Sequence, residues 1–393
     1  MKKYDVVILA GGKGSRIKKY LNDIPKPLLK INNLYFLDYL INNISKYYIN
    51  KIYILAGFKG EKIKRKYNNK EVNLVPIKVL IEKKVLGTGG SLSLIKNKVS
   101  NKFVVLNGDS IFDVDLDEIS KIKLKKNECF IALTKNNNYL YNKKLSNLNL
   151  KGKNIVKSNK SKFMNGGVYF LNKSFIKNIK FKEKSLENDL IENQISLGKV
   201  KGKYYKNFFI DIGTPRNLLK SKKIIPNYFT KPALFLDRDG TINIDSGYTH
   251  KIKDFKLMEN TIRILRRVSK KQHYIFIVTN QAGIAKGKFK IKDFYKLHDH
   301  IKKKFIKNKI YINDIKFSPF HPKGTVKKFK RKSGYRKPGN LMIESLKKRW
   351  SIKQSKSYMV GDKTSDFKAA TKSNIRFLYL NKNLFLTLKK IYS

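Results

Sequence analysis

One cysteine, one tryptophan and 28 acidic residues are all that 393 positions hold of these types. The single thiol, Cys129, excludes a disulfide within the chain and any zinc site built from several cysteines, and it fits a reducing compartment. No apolar run approaches the roughly 18 residues of a membrane span. The early run Val6 to Ala10 ends in Gly11-Gly12, which is too short for a signal peptide and reads as a first strand. A cytoplasmic chain is the expectation. Against the few acids stand 88 Lys and Arg, a formal charge of +60. Such an excess invites a nucleic-acid reading. The lysines, however, are spread over the whole chain and accompanied by Asn, Ile, Tyr and Phe, residues with A/T-rich codons. The charge therefore reads as genome composition written onto solvated surfaces, with no specific nucleic-acid partner. A 41% hydrophobic content and this length predict two domains with real cores.

Where acids are scarce, pairs of them carry weight. The apolar run Ala233 to Leu236 delivers Asp237 and Asp239, and Gly240 follows at once. Two carboxylates that close repel and need a cation or a shared proton. The pattern predicts a Mg²⁺ site at the carboxyl end of a buried strand, with one aspartate free to attack phosphorus. Further on, the strand Tyr274 to Val278 ends in Thr279-Asn280-Gln281, Arg336-Lys337-Pro338 offers fixed positive charge, and the strand from Tyr358 ends in Asp362 and Asp366.

The first half alternates strands and helices: a strand Val6 to Ala10, a helix Leu34 to Lys46, a strand Lys51 to Ala56, a helix near Glu61 to Tyr67 and a strand Ile77 to Ile81. Such alternation predicts a largely parallel sheet. The first strand runs into Gly11-Gly12-Lys13-Gly14-Ser15-Arg16, an arrangement suited to phosphate oxygens. Two prolines fix the backbone around Lys26. A second glycine cluster spans Leu86 to Gly90, and Phe103 to Leu106 leads into Asn107-Gly108-Asp109.

Together with Asn165-Gly166-Gly167-Val168-Tyr169 and Phe209 to Pro215, these motifs resemble the sugar-phosphate nucleotidylyltransferases from about Met1 to Tyr228. The resemblance implies a Rossmann-like, mixed-sheet α/β domain over residues 1–230. Gly11, Gly12 and Arg16 would cradle a nucleoside triphosphate, and Gly87 and Gly90 would face its base. Lys26 would neutralise the α-phosphate, Asp109 and Asp211 would hold Mg²⁺, and Asn165 and Gly166 would face the sugar. A Glu-Lys pair usual in that family is missing, which leaves Lys157 or Lys160 as candidate sugar-phosphate lysines.

The four motifs of the second half resemble the haloacid-dehalogenase-type phosphatases, and more closely the D-glycero-D-manno-heptose 1,7-bisphosphate 7-phosphatases, from about Pro232 to Lys382. The implied fold over residues 231–393 is a Rossmannoid α/β domain without a large cap, because the motif spacing leaves no room for one. Asp237 would be the nucleophile and Asp239 the general acid and base. Thr279 and Lys337 would stabilise the phosphoryl group. Mg²⁺ would be held by Asp237, Asp362 and the backbone carbonyl of Asp239, with Asp366 supporting from behind. Asp245, Ser246, Gly247, Tyr248, Asn280, Gln281 and Arg336 would contact substrate. The two halves then imply synthesis of an NDP-heptose, with guanylyl transfer from GTP and the α-anomer as the expectation. Two other readings are compatible with the residues: a different sugar nucleotide paired with a histidinol-phosphatase-like domain, or a polyanion-binding protein with degenerate enzyme domains.

Members of the phosphatase group often carry a zinc loop of three cysteines and a histidine. Here the ligand positions hold Ser318, Phe320, Ser333 and Tyr335, which cannot make a sulfur-rich site. Metal analysis of the purified protein is expected to give no stoichiometric zinc; one zinc per chain would refute this.

Overall fold

The structure is a computed structural model describing residues 2–135, 148–158 and 162–392. It divides into two compact units, Lys2–Glu71 with Val75–Pro226, and Asn227–Ser393 with Val72–Leu74.

The first unit is built on a mixed sheet of ten strands among the described residues. All seven residues of Tyr4–Ala10 are buried, as expected of a strand covered on both faces. This strand lies between two parallel neighbours, Ile49–Ala56 and Lys102–Asn107. Val75–Ile81 extends the sheet beyond Ile49–Ala56. On the other side Phe163–Asn172 runs antiparallel to Lys102–Asn107. The chain therefore leaves the first strand in one direction and returns to its other flank. That reversal, at the carboxyl ends of Tyr4–Ala10 and Lys102–Asn107, is where open α/β sheets leave a crevice. The predicted helix at Leu34 begins later, as Phe36–Ser45, because Leu34–Tyr35 pairs with Lys30–Ile31 in a short hairpin. A later helix, Pro215–Phe229, passes through Pro226.

In the second unit five parallel strands lie in the order Asp314–Ser318, Tyr274–Asn280, Ala233–Leu236, Tyr358–Gly361, Arg376–Tyr379. The central strand comes first in the chain. Thr261–Lys270 and Ile291–Lys307 are the helices between the strands on one side of it, and Leu341–Arg349 and Thr364–Lys372 those on the way to and along the other. Its reversal point lies between Ala233–Leu236 and Tyr358–Gly361. Helix Thr261–Lys270 buries Ile264, Leu265 and Val268, the spacing of a single apolar stripe. No domain is inserted between Asp237 and Thr279 or between Thr279 and Lys337.

Among the described residues no helix is long and apolar enough to cross a membrane. Cys129 begins the strand Cys129–Lys135 with none of its surface exposed, and burial pushes its thiol up to about 12. A thiol reagent at pH 8 is therefore expected to find no reactive cysteine in the native protein and one after denaturation. Fast stoichiometric labelling of native protein would show that this strand is not packed as described.

Candidate active sites

At the carboxyl edge of the second sheet, Leu236 is in register with Ile277 on one side and Val360 on the other. Residues just beyond those positions therefore converge: Asp237, Thr279 and Asp362. Asp237 N donates to Val360 O at 3.1 Å, which ties the tips of the two strands together. Lys337 reaches the same point from a loop. Its Nζ lies 2.9 Å from Asp237 Oδ1 and 2.5 Å from Asp366 Oδ1, and it donates to Val278 O at 2.8 Å. All three charged groups are buried. Burial favours the neutral amine of Lys337, but the two carboxylates outweigh it and raise its pKa. Burial pushes the Asp237 carboxyl up to about 6; Lys337 pulls it down and Asp366 adds to the rise. Asp362, more open to solvent, is also raised by burial, against the pull of Lys363.

Carboxylate oxygens of Asp237, Asp362 and Asp366 lie within 4.8 Å of one another. Three carboxylates against one buried ammonium leave two negative charges, which a divalent cation would balance. Hard oxygen donors suit Mg²⁺ or a similar ion. Gly240, at φ +79°, faces this cluster, and any Cβ there would overlap the Asp362 carboxylate.

The neighbouring residues are more committed than the motif reading implies. Asn280, expected to touch substrate, instead holds the Lys337 backbone with both ends of its amide: Nδ2 donates to Lys337 O and Oδ1 accepts from Lys337 N, both at 3.0 Å. Gln281 is likewise engaged, donating to Asp239 Oδ2 and Thr279 Oγ1 at 3.0 Å each. Gln281 is buried and Asn280 half-buried, and these bonds hold both amides in place. Asp366 is in direct ion pairing with Lys337. Asp245, Ser246, Gly247 and Tyr248 form an exposed loop, tied to the site by Lys363 Nζ to Asp245 Oδ2 at 3.2 Å. Tyr248 OH accepts from Lys286 at 2.8 Å, and half-buried Arg336 donates weakly to Phe320 O. In the loop that would carry zinc ligands, the Arg331 guanidinium lies 4.0 Å over the Phe320 ring, Ser333 Oγ accepts from Tyr335 N, and His321 Nδ1 accepts from Lys323 N.

In the first unit a cavity of about 650 Å³ opens at the reversal point. Gly11, Gly12, Lys13, Lys26, Glu82, Gly87, Thr88 and Asp109 line it. Lys26 is buried and its Nζ lies 2.8 Å from Asp109 Oδ2. Asp211 is brought beside Asp109 by a two-stranded ladder that pairs it with Ser110, and Ile212 N donates to Asp109 O at 2.9 Å. Both Asp211 oxygens already accept, from Gly213 N and Asn217 Nδ2. Arg16 sits beside Gly213 in the same neighbourhood. Gly90 does not line the cavity; its N–H bonds Lys184 O, and it packs against the backbone at Lys182. Gly166 packs on the Phe112 ring. Asn165 donates to Tyr169 OH at 2.7 Å, Tyr169 donates to Glu187 Oε1 at 2.8 Å, and Thr88 donates to Glu187 Oε2 at 2.9 Å. Glu187 and Tyr169 thus join the sugar motif to the glycine loop, a link that no local motif announces. Lys157 is exposed at the end of the strand Asn154–Lys157 and is paired with Glu192. Lys160 is outside the described residues.

Residues 5–227 match the family profile described as nucleotidyl transferase, and residues 233–380 match one described as polynucleotide kinase 3 phosphatase. Over 218 residues the chain is 34% identical to the D-glycero-alpha-D-manno-heptose 1-phosphate guanylyltransferase of Campylobacter jejuni, covering 54% of this chain and 95% of that protein. Over 144 residues it is 39% identical to the D-glycero-beta-D-manno-heptose-1,7-bisphosphate 7-phosphatase of Escherichia coli, covering 37% of this chain and 75% of that protein. A crystal structure of HddC from Yersinia pseudotuberculosis is 28% identical, with 56% of this chain and 99% of that one covered and a TM-score of 0.48.

The raised Asp237 carboxyl has a consequence for stability. Its folded pKa of about 6 lies above the unfolded value of about 3.9, so ionisation costs folding free energy that grows as pH rises between those values and then stays constant. In metal-free buffer at pH 8, Asp237→Asn is expected to be more stable than the native chain by up to about 3 kcal/mol, since Lys337 keeps Asp366 as its partner. The advantage should shrink towards pH 4 and on adding Mg²⁺. Thermal melts in EDTA across this range check it; a lower melting temperature for the variant at pH 8 would contradict the assignment.

Proposed function

Because the chain belongs to the nucleotidyl transferase family through residues 5–227 and carries a haloacid-dehalogenase-type phosphatase unit after it, we propose that it activates a heptose in two consecutive steps. The phosphatase removes the 7-phosphate of D-glycero-D-manno-heptose 1,7-bisphosphate. The transferase then joins the remaining 1-phosphate to GMP from GTP, releasing pyrophosphate. The observation that carries this reading is the convergence of Asp237, Lys337, Asp362 and Thr279 at one sheet edge, in a chain whose other half is akin to an enzyme acting on a heptose 1-phosphate.

In the phosphatase unit Asp237 attacks phosphorus, and an aspartyl-phosphate forms as the sugar oxygen leaves with a proton from Asp239. Lys337 and Thr279 flank the phosphoryl oxygens. Asp366 and Asn280 keep Lys337 in place, and Arg336 with the loop Asp245 to Tyr248 receives the sugar. Asp237, Asp362 and the Asp239 carbonyl are the groups to hold Mg²⁺, which when bound would neutralise phosphoryl charge. In the transferase unit Gly11, Gly12 and Arg16 receive the triphosphate. Asp109 and Asp211 are the groups to hold its cation, which leaves the Lys26 ammonium to the α-phosphate. The sugar phosphate oxygen displaces pyrophosphate in line, so positioning and charge neutralisation do most of the work.

The two relatives are named for opposite anomers. Carbon 7 is far from the anomeric carbon, so removing its phosphate constrains the anomer weakly. The transferase reacts at the anomeric phosphate itself, so its configuration decides, and the sugar is the α-anomer. The product is a precursor for surface polysaccharide such as lipopolysaccharide, made in the cytoplasm where GTP is available.

Incubating the protein with the α-bisphosphate, each nucleoside triphosphate and Mg²⁺, and following phosphate, pyrophosphate and NDP-sugar separately, tests the reading. Asp237→Asn should lower phosphate release by at least about 10³-fold and leave pyrophosphate release from supplied heptose 1-phosphate unchanged. Loss of both activities would refute separate sites.

A further inference from the structure

Arg238 stands between the two motif aspartates with a fully buried side chain. Its Nε donates to Asp239 Oδ1 at 3.0 Å and its Nη2 to Asp239 Oδ2 at 2.7 Å, a two-pronged clamp. Nη2 also meets Thr249 O at 2.7 Å and Gln281 Oε1 at 3.2 Å. Asp239 receives two more donors, Asn243 Nδ2 on Oδ1 and Gln281 Nε2 on Oδ2, both at 3.0 Å. Gln281 Nε2 continues to Thr279 Oγ1, so the clamp is joined to the phosphoryl-facing edge. Behind it, Arg238 Nη1 and His298 Nε2 are both buried without a partner, and His298 Nδ1 is bonded to Phe294 O. With Nδ1 as donor, Nε2 is left as a lone-pair acceptor. A guanidinium is costly to bury, and attack by Asp237 does not by itself call for one.

We propose that Arg238 is a positioning residue for the general acid and base: it fixes the plane of the Asp239 carboxylate so that one oxygen meets the leaving group. The inference rests on the phosphatase reading of this unit. In the first step the Asp237–phosphorus bond forms and the phosphorus–sugar oxygen bond breaks. The bonding pair passes to the sugar oxygen, which takes the proton of Asp239. In the second, water attacks phosphorus and gives its proton to Asp239, and the pair of the breaking bond returns to Asp237. Orientation of Asp239 governs the first step when the leaving oxygen is a basic alkoxide. A nitrophenolate leaves without a proton, so with an aryl ester the clamp is dispensable in the first step and acts only when water attacks the aspartyl-phosphate.

The test uses the full chain with Mg²⁺ and two substrates, the alkyl ester heptose 1,7-bisphosphate and the aryl ester p-nitrophenyl phosphate. Arg238→Lys keeps the charge and loses the fork. It is expected to lower kcat on the alkyl ester by about 30-fold or more with less than about 3-fold change in KM, and to change the rate of the first nitrophenolate released per chain, before the intermediate is hydrolysed, by less than about 3-fold. Asp239→Asn should show the same split, and the double variant should be no slower on the alkyl ester than Asp239→Asn alone. An equal loss in alkyl-ester turnover and in first-turnover nitrophenolate release, or additive losses in the double variant, would overturn the proposal. Arg238→Gln is read in the same way if Arg238→Lys does not give a cooperative melt. A native chain that hydrolyses neither ester would remove the phosphatase reading itself, and the proposal with it.

Discussion

A lysine ammonium held between two buried carboxylates sets the terms for the second unit. Lys337 enters a space closed by Asp237, Asp366 and the Val278 carbonyl. Truncating Lys337 leaves both acids uncompensated in a medium that cannot solvate them, a far larger penalty than the cluster's net contribution to stability. The surroundings follow from this. Asn280 clasps the backbone of Lys337, and Gly361 leaves space for the Asp366 side chain, where a Cβ would come within 2.5 Å of its carboxylate. The charge left over by the cluster defines the kind of cation that fits.

The two units reach their sites by the same route. Each begins with its central strand, builds outwards on one side, and then crosses to the other. The first strand and the strand that flanks it after the crossing end side by side. In one unit the gap receives Gly11, Gly12 and Asn107-Gly108-Asp109; in the other it receives Asp237, Asp239 and Asp362. Close approach is enforced in the first unit by Gly108, whose N–H bonds Leu9 O and whose Cβ, if present, would come within 2.5 Å of that oxygen. Lys26 and Lys337 play comparable parts: each is a buried cation brought in from a proline-bearing turn to meet an acid at a strand end.

The residues at strand ends were legible because an apolar run followed by an acid has few other uses in a chain so poor in acids. Asp237, Asp362, Thr279 and Asp109 belong to this group. What was not legible depends on partners far away in sequence. Thr88, Tyr169 and Glu187 are linked only after the sheet forms, and Glu187 carries no motif. Gly90 looks like its neighbour Gly87, yet the backbone at Lys182 to Lys184 decides that one lines the cavity and the other is packed beneath. Asn280 and Gln281 read as substrate contacts because amides at strand ends suit phosphate; the backbone of Lys337 and the Asp239 carboxylate occupy them first. Arg238 is hidden in a different way, since one more basic residue among 88 carries no weight until its burial is known.

Glycine and proline also mark where the backbone is constrained at the two sites. Of the nine prolines, Pro25 and Pro27 bracket Lys26, and Pro338 follows Lys337. Gly240 stands where any side chain would strike the Asp362 carboxylate. At these positions a fixed backbone or a missing side chain is what lets an ammonium or a carboxylate come close, so the geometry of both sites is set by the residues that carry no charge at all.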